Sequence, residues 1–341
     1  MRTRRSRART QGYPARQNSY GTVNSLLKLY FDSFVYNLIQ KRGEAAQVRQ
    51  WRKTRGHKIG ASINANIMEA LRITDLSERN ARIETIRRVA SPIHPPYDYL
   101  HYREIADEIW RLRPSWFRQL PDRRKATLFL RRQKRDWLKL RDPSQLPDLS
   151  AQLQRIQALV GRDMQRQKQH RQRPNAGADW LPEHSEPTVQ ACIEARTRAD
   201  AFWRYVTAEE SRPALDQELR QHRHLEWMTD LRWPQPLADW HRLWLCEADA
   251  TRLPICRIVG LGELYQRDRQ VTPGNAADRL GHAAHLSGFD YIVTTDGPFA
   301  EILEEIRAEM FGTPLARIVL IDSEAPSALA AIDGAIDTGD R

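Results

Sequence analysis

The sequence predicts an α/β fold: a parallel sheet with helices on both faces, interrupted by a large helical insertion. Three observations lead there. Near each end of the chain a short apolar run stops at an acid, Leu26–Phe31 before Asp32 and Phe289–Thr295 before Asp296. Segments of helical periodicity follow such runs, the alternation that builds parallel sheets. Nine of the ten tryptophans fall between Trp110 and Trp244, so the middle of the chain differs in texture from its ends.

In order along the chain, residues 1–20 read as a flexible basic arm, with six arginines between positions 2 and 16 and no acid. Leu26–Phe31 is a buried strand. Val35 to Trp51 has a helical pattern, and Gly56 closes it. Lys58–Ile63 is a weaker strand, Ala65–Arg72 a short helix, and Ser77 with Glu78–Val89 another. Gln152–Arg173 is dense in Gln and Arg and reads as a polar helix, broken by Pro174, Asn175 and Gly177. Helical patterns return at 187–208 and 213–230. Val259-Gly260-Leu261-Gly262 lacks the third glycine of a dinucleotide loop and reads as a turn after a strand. Phe289–Thr295, Pro298–Met310 and Leu315–Ile321 are then strand, helix and strand. The predicted organisation is an α/β domain from 21–100 and 250–325, a basic helical insertion at 101–249, and a flexible acidic tail at 326–341.

The 341 residues are 40% hydrophobic, enough for a real core, and the formal net charge is +11. Such an excess favours a polyanionic partner, nucleic acid before an anionic membrane. It is uneven: residues 111–141 hold twelve Lys and Arg against two acids, while 284–341 hold eleven acids against three arginines. Three scattered cysteines do not make a disulfide framework and suit a reducing cytoplasm. No apolar run approaches the roughly 20 residues of a membrane span, so no membrane partner is expected.

Acids carry the candidate chemistry. Asp32 and Asp296 end strands, where parallel sheets place their functional crevice. Each by itself serves equally well as a helix cap. Glu69 sits in an apolar helical turn, and Asp278 in a small-residue helix. Clustered carboxylates repel and are costly to bury without a cation. Oxygen-only ligation suits Mg²⁺ or Mn²⁺, the machinery of phosphodiester hydrolysis. His282 and His285, three apart, lack the companion ligands that zinc requires. Arg123, Arg124, Arg131, Arg132, Lys134 and Arg135 interleave with Trp116, Phe117, Phe129 and Trp137. That mixture is either insertion core or a surface that neutralises phosphates and stacks bases.

Leu29-Tyr30-Phe31-Asp32-Ser33, Ile67-Met68-Glu69-Ala70-Leu71, Asn275-Ala276-Ala277-Asp278 and Tyr291-Ile292-Val293-Thr294-Thr295-Asp296 occur in an order that resembles the PIN-domain nucleases, as does the last strand, Ala316–Leu320. The resemblance covers roughly 25–95 and 270–322. It implies a three-layer α/β/α domain in which Asp32, Glu69, Asp278 and Asp296 are the catalytic acids and hold Mg²⁺ or Mn²⁺, supported by Ser33 and Thr295. It further implies an endoribonuclease acting on RNA, with single-stranded DNA as the alternative substrate, and toxin or defence effectors controlled by an inhibitory or activating protein. Two departures stand out: Phe34 replaces an Asn frequent in the family, and the 91–274 stretch is far longer than usual. A non-catalytic nucleic-acid-binding or assembly protein is the other reading, and homo-oligomerisation is left open.

Overall fold

The structure, a computed structural model, describes residues 26–91, 93–95, 97–117, 128, 131, 186–213, 237–269, 271 and 279–339. The basic arm, the Gln152–Arg173 helix and nearly all of 213–230 lie outside these residues.

Five strands, β1 (Lys28–Phe31), β2 (Lys58–Ser62), β3 (Ile93–His94), β4 (Tyr291–Thr294) and β5 (Arg317–Leu320), form a parallel sheet of order β3-β2-β1-β4-β5. Leu29 pairs with Ile59 on one side and Tyr291 on the other, so the two ends of the chain meet along β1. The central strands are buried on both faces, as expected of a parallel sheet. Leu29, Phe31, Tyr291 and Val293 enter one core; Tyr30 and Ile292 enter the opposite one. This is strand alternation at period two. The edge strand β3 is only two residues long, too short to leave a pattern in the sequence.

The first face is covered by α1 (Ser33–Arg42), α2 (Ala45–Arg55), α4 (Leu76–Val89) and the C-terminal α11 (Ala328–Gly339), with a π turn at Ile63–Ile67 leading into α3 (Met68–Leu71). Where periodicity predicts one helix over 35–51, two are present. Gly43 ends α1 with φ 68°, and the Gly43 and Glu44 N–H groups close on the Gln40 and Ile39 carbonyls. That left-handed cap is open to glycine at little cost. The predicted flexible tail needs a larger correction. Residues 328–339 form α11, whose Ala328, Ile332 and Ile336 enter the first core, while Asp333 accepts from Trp51 Nε1 at 2.8 Å and pairs with Arg55 at 3.0 Å. An apolar stripe at i, i+4 and i+8 outweighs the acids on the outer face.

The other face is covered by α9 (Pro254–Asp268), α10 (Gly297–Glu309) and the short helical segment at 279–287. The Gly260-Leu261-Gly262 segment is therefore inside a helix and not a turn. The glycines serve close packing: a Cβ on Gly260 would lie 2.6 Å from the Trp203 Cα.

Beyond α9 lies a second core, built by α5 (Tyr97–Leu112), α6 (Pro187–Glu194), α7 (Arg198–Pro213), α8 (Leu237–Arg242) and the π turn Leu243–Glu247. Trp116, Trp203, Trp240 and Trp244 are buried there, so these tryptophans are structural and offer no stacking surface. Glu104 of α5 joins the two parts by accepting from the Ile255 and Cys256 N–H groups at the start of α9, at 2.8 and 3.1 Å. The expectation of unpaired cysteines is corrected as well: Cys192 of α6 and Cys246 form a disulfide, their Cα atoms 5.5 Å apart, because these segments pack side by side. No helix among the described residues is long and apolar enough to cross a membrane.

Candidate active site

The carboxyl ends of β1, β2 and β4 converge on Asp32. This residue caps α1, its Oδ1 accepting from the Val35 N–H at 2.9 Å, while Oδ2 accepts from the Thr294 hydroxyl. The contact follows from register: Phe31 pairs with Val293, so the next residues, Asp32 and Thr294, come side by side. Asp32 is 1% exposed. Burial pushes its carboxyl up to about 6, although His282 and the two hydrogen bonds pull it back. A buried carboxylate with so little compensating charge is unstable alone and is a ready partner for a cation.

Glu69 arrives from α3. Its Oε1 lies 2.8 Å from His282 Nε2, and the Ser33 hydroxyl also bonds to it. Burial works against ionisation of Glu69, but His282, Ser33 and Arg72 together hold its carboxyl below the ordinary value. His282 Nδ1 is 2.8 Å from the Tyr30 hydroxyl, and its Nε2 is 3.5 Å from Ser33 Oγ. With the Glu69 carboxylate an acceptor, His282 Nε2 donates to it. Burial raises Tyr30 well above the ordinary tyrosine value, so it keeps its proton. His285 stacks on Tyr30 at 4.5 Å and is kept neutral by burial.

Asn66 braces the cluster. Its Oδ1 accepts from Ser62 N–H at 2.8 Å, and its Nδ2 donates to the Phe31 carbonyl at 3.0 Å, tying the ends of β1 and β2.

The remaining expected residues divide. Asp296 caps α10 through the Phe299 N–H at 3.1 Å, and its Oδ2 pairs with Arg279 at 2.6 Å. It touches the Asp32 group through its N–H, which donates to Thr294 Oγ1 at 3.0 Å. Thr295, expected in support, lies one residue past β4; the hydroxyl that reaches Asp32 belongs to Thr294. Asp278 lies outside the described residues, as do Arg123, Arg124, Arg132, Lys134 and Arg135. Arg131 is described and is exposed on a helical residue. Among the described residues, no group of three or more His, Cys, Asp or Glu side chains is arranged to hold a metal ion.

No protein-family model, curated protein or solved structure matches this chain.

His282, Asn66 and Thr294 are the site residues that sequence reasoning misses. Thr294 becomes legible from strand register once the pairing of β1 with β4 is known. His282 stands out in the sequence as half of an incomplete zinc pair and as part of the His282-Ala283-Ala284 run of the resemblance, with no role of its own. Nothing in the sequence points to its contacts with Tyr30 and Glu69, which lie 252 and 213 positions away.

Proposed function

We propose that this chain is a PIN-like, metal-dependent nuclease, an endoribonuclease in the first place, with single-stranded DNA as the second substrate. One observation carries the reading: the buried Asp32 at the end of the central strand, joined through Ser33 and His282 to a second carboxylate, Glu69. The donor chemistry fits a hard divalent cation. Each carboxylate keeps lone pairs beyond the bonds described, and Asp32 is buried at the end of its strand. Asp32 and Glu69 would hold Mg²⁺ or Mn²⁺. What such an ion supplies when bound is a lowered pKa for a water and neutralisation of charge on the phosphodiester.

The chain's own residues do the rest. Val35 and Thr294 fix the direction of the Asp32 oxygens. Tyr30 holds the His282 ring through Nδ1, so that Nε2 faces Glu69 and Ser33. Arg279 brings positive charge to the rim beside Asp296. Phe34, two residues after Asp32, is 54% exposed in the first turn of α1 and presents a ring on which an unpaired base can stack. A toxin or defence role, a controlling protein partner and a cytoplasmic setting belong to the same reading; the Cys192–Cys246 disulfide weighs against the last.

The second reading, a non-catalytic nucleic-acid-binding protein, is favoured by the Asp296–Arg279 pair, which neutralises one of the expected acids. End-labelled RNA and single-stranded DNA, incubated with the full chain in Mg²⁺, in Mn²⁺ and in EDTA, separate the two. Cleavage of RNA that needs metal is expected; binding without cleavage in either metal selects the second reading. Within the nuclease reading, Thr294→Val should lower the cleavage rate roughly 10- to 100-fold, the usual effect of losing a partner that orients a metal-binding carboxylate. Thr295→Val should leave the rate nearly unchanged, and equal losses in both variants would remove Thr294 from the site.

A further inference from the structure

Away from the carboxylates, α2 and α4 enclose an open groove of about 500 Å³ lined by Ala46, Arg49, Gln50, Lys53, Glu84, Arg87 and Arg88. Four of the seven lining residues are cations and one is an acid. That acid is already engaged: Glu84 pairs with Arg87 at 2.6 Å and with Arg88 at 2.7 Å. Among the described residues no acid lies within salt-bridge range of Arg49 or Lys53. These two stand one turn apart on α2 and so share a face. Like charges crowd here. The neighbouring Arg52 is held below the ordinary arginine value by burial first and by the Arg49 charge second.

The groove also has a definite place. Arg87 and Arg88 lie in the last turn of α4, and just after it the Ser91 N–H donates to the Ile59 carbonyl near the start of β2. The groove therefore sits toward the amino ends of the strands, and the Asp32 cluster at their carboxyl ends, roughly 15 Å away along a strand of this length.

We infer that this groove is a binding site for the phosphodiester backbone of a single-stranded nucleic acid. A row of long, largely exposed cations with a single alanine as its apolar lining suits a repeating anion. An acidic protein segment with apolar side chains would find only Ala46 as apolar lining. The site holds its ligand whether or not Asp32 and Glu69 cut anything.

The test is fluorescence anisotropy of the full chain with labelled RNA and DNA oligonucleotides of about 15 nucleotides, in EDTA, at two or more salt concentrations. Arg49→Gln/Lys53→Gln is expected to weaken binding five- to twentyfold at low salt. It should also flatten the log–log salt slope by about 1.4, since each single-strand phosphate that is no longer neutralised removes roughly 0.7. Arg87→Gln/Arg88→Gln should also weaken binding, which guards against an accident of one pair. A control pair outside the groove, Arg103→Gln/Arg317→Gln, removes the same charge and should change affinity less than twofold. The RNA and DNA arms show which strand is preferred; similar losses in both are expected for backbone contacts. Unchanged affinity and slope in both groove pairs would overturn the inference. So would an equal loss in the control pair, which would mean net charge alone, or a loss of binding to polyglutamate with none to the oligonucleotides. Because EDTA excludes cleavage, failure here leaves the nuclease reading standing, and failure of cleavage leaves this groove standing.

Discussion

Asp32→Asn is expected to remove the metal-stimulated cleavage proposed for this chain, by at least about 10³-fold, and at the same time to make the metal-free protein more stable at neutral pH. The first effect follows from charge: Asn keeps the shape and can still accept from Val35 or Thr294, but it offers no anion to a divalent cation. The second follows from linkage. The Asp32 carboxyl has an ordinary value of 3.8 and is pushed up to about 6 in the folded protein. Between those values the unfolded chain has released a proton that the folded protein keeps. Stability is therefore fully present below about pH 4, falls as pH rises toward 6, and is flat above. A gap of about two units corresponds to roughly 3 kcal/mol, the most that Asn can recover at neutral pH. Melting temperatures in EDTA at about pH 4 and about pH 7 give the check. The variant should match wild type at the lower pH and exceed it at the higher. Metal-dependent cleavage by the purified variant, or a variant less stable than wild type at pH 7, would take Asp32 out of the centre of the site.

Gly260→Ala should cost about 2 kcal/mol of stability although it replaces glycine in a helix interior, where alanine gains up to about 1 kcal/mol on propensity. The added methyl would sit 2.5 Å from the Trp203 Cβ and 2.6 Å from its Cα. Backbone atoms have no rotamer to escape into, so α7 and α9 must part. Trp203 is buried in the second core with Trp240 and Trp244, and parting the helices loosens that packing too. Gly334→Ala in α11 is the matched opposite: nothing lies within 4 Å of the new carbon, and the protein should gain about 0.5–1 kcal/mol. Urea midpoints for the two variants should move in opposite directions. A neutral Gly260→Ala would mean that the two helices do not touch through their backbones.

Much of the fold is readable in local pattern. β1 and β4 are short apolar runs because the sheet's faces are covered there by helices, and α4 and α10 carry caps at Asp75 and Asp296. Asp32 and Glu69 stand out as acids in apolar stretches of sequence, although their side chains meet polar groups, Thr294, Ser33 and His282. Two segments mislead although their signal is present. The Ala328, Ile332, Ile336 stripe of α11 is hidden by its acids, and the glycines of α9 suggest a turn where they serve a helix crossing.

The sequence by itself determined β1, β2, β4 and β5 and most of the helices beside them, because burial and propensity act on neighbours a few positions apart. Tertiary structure alone decided that Thr294 and not Thr295 reaches Asp32, and that Cys192 meets Cys246. It also decided that His282 stands between Tyr30 and Glu69, and that the cations of α2 and α4 face one groove. Each of these depends on contacts between elements: register across β1 and β4, or the packing of helices far apart in the chain. Such contacts are settled when whole faces bury one another, and no local run of residues encodes them.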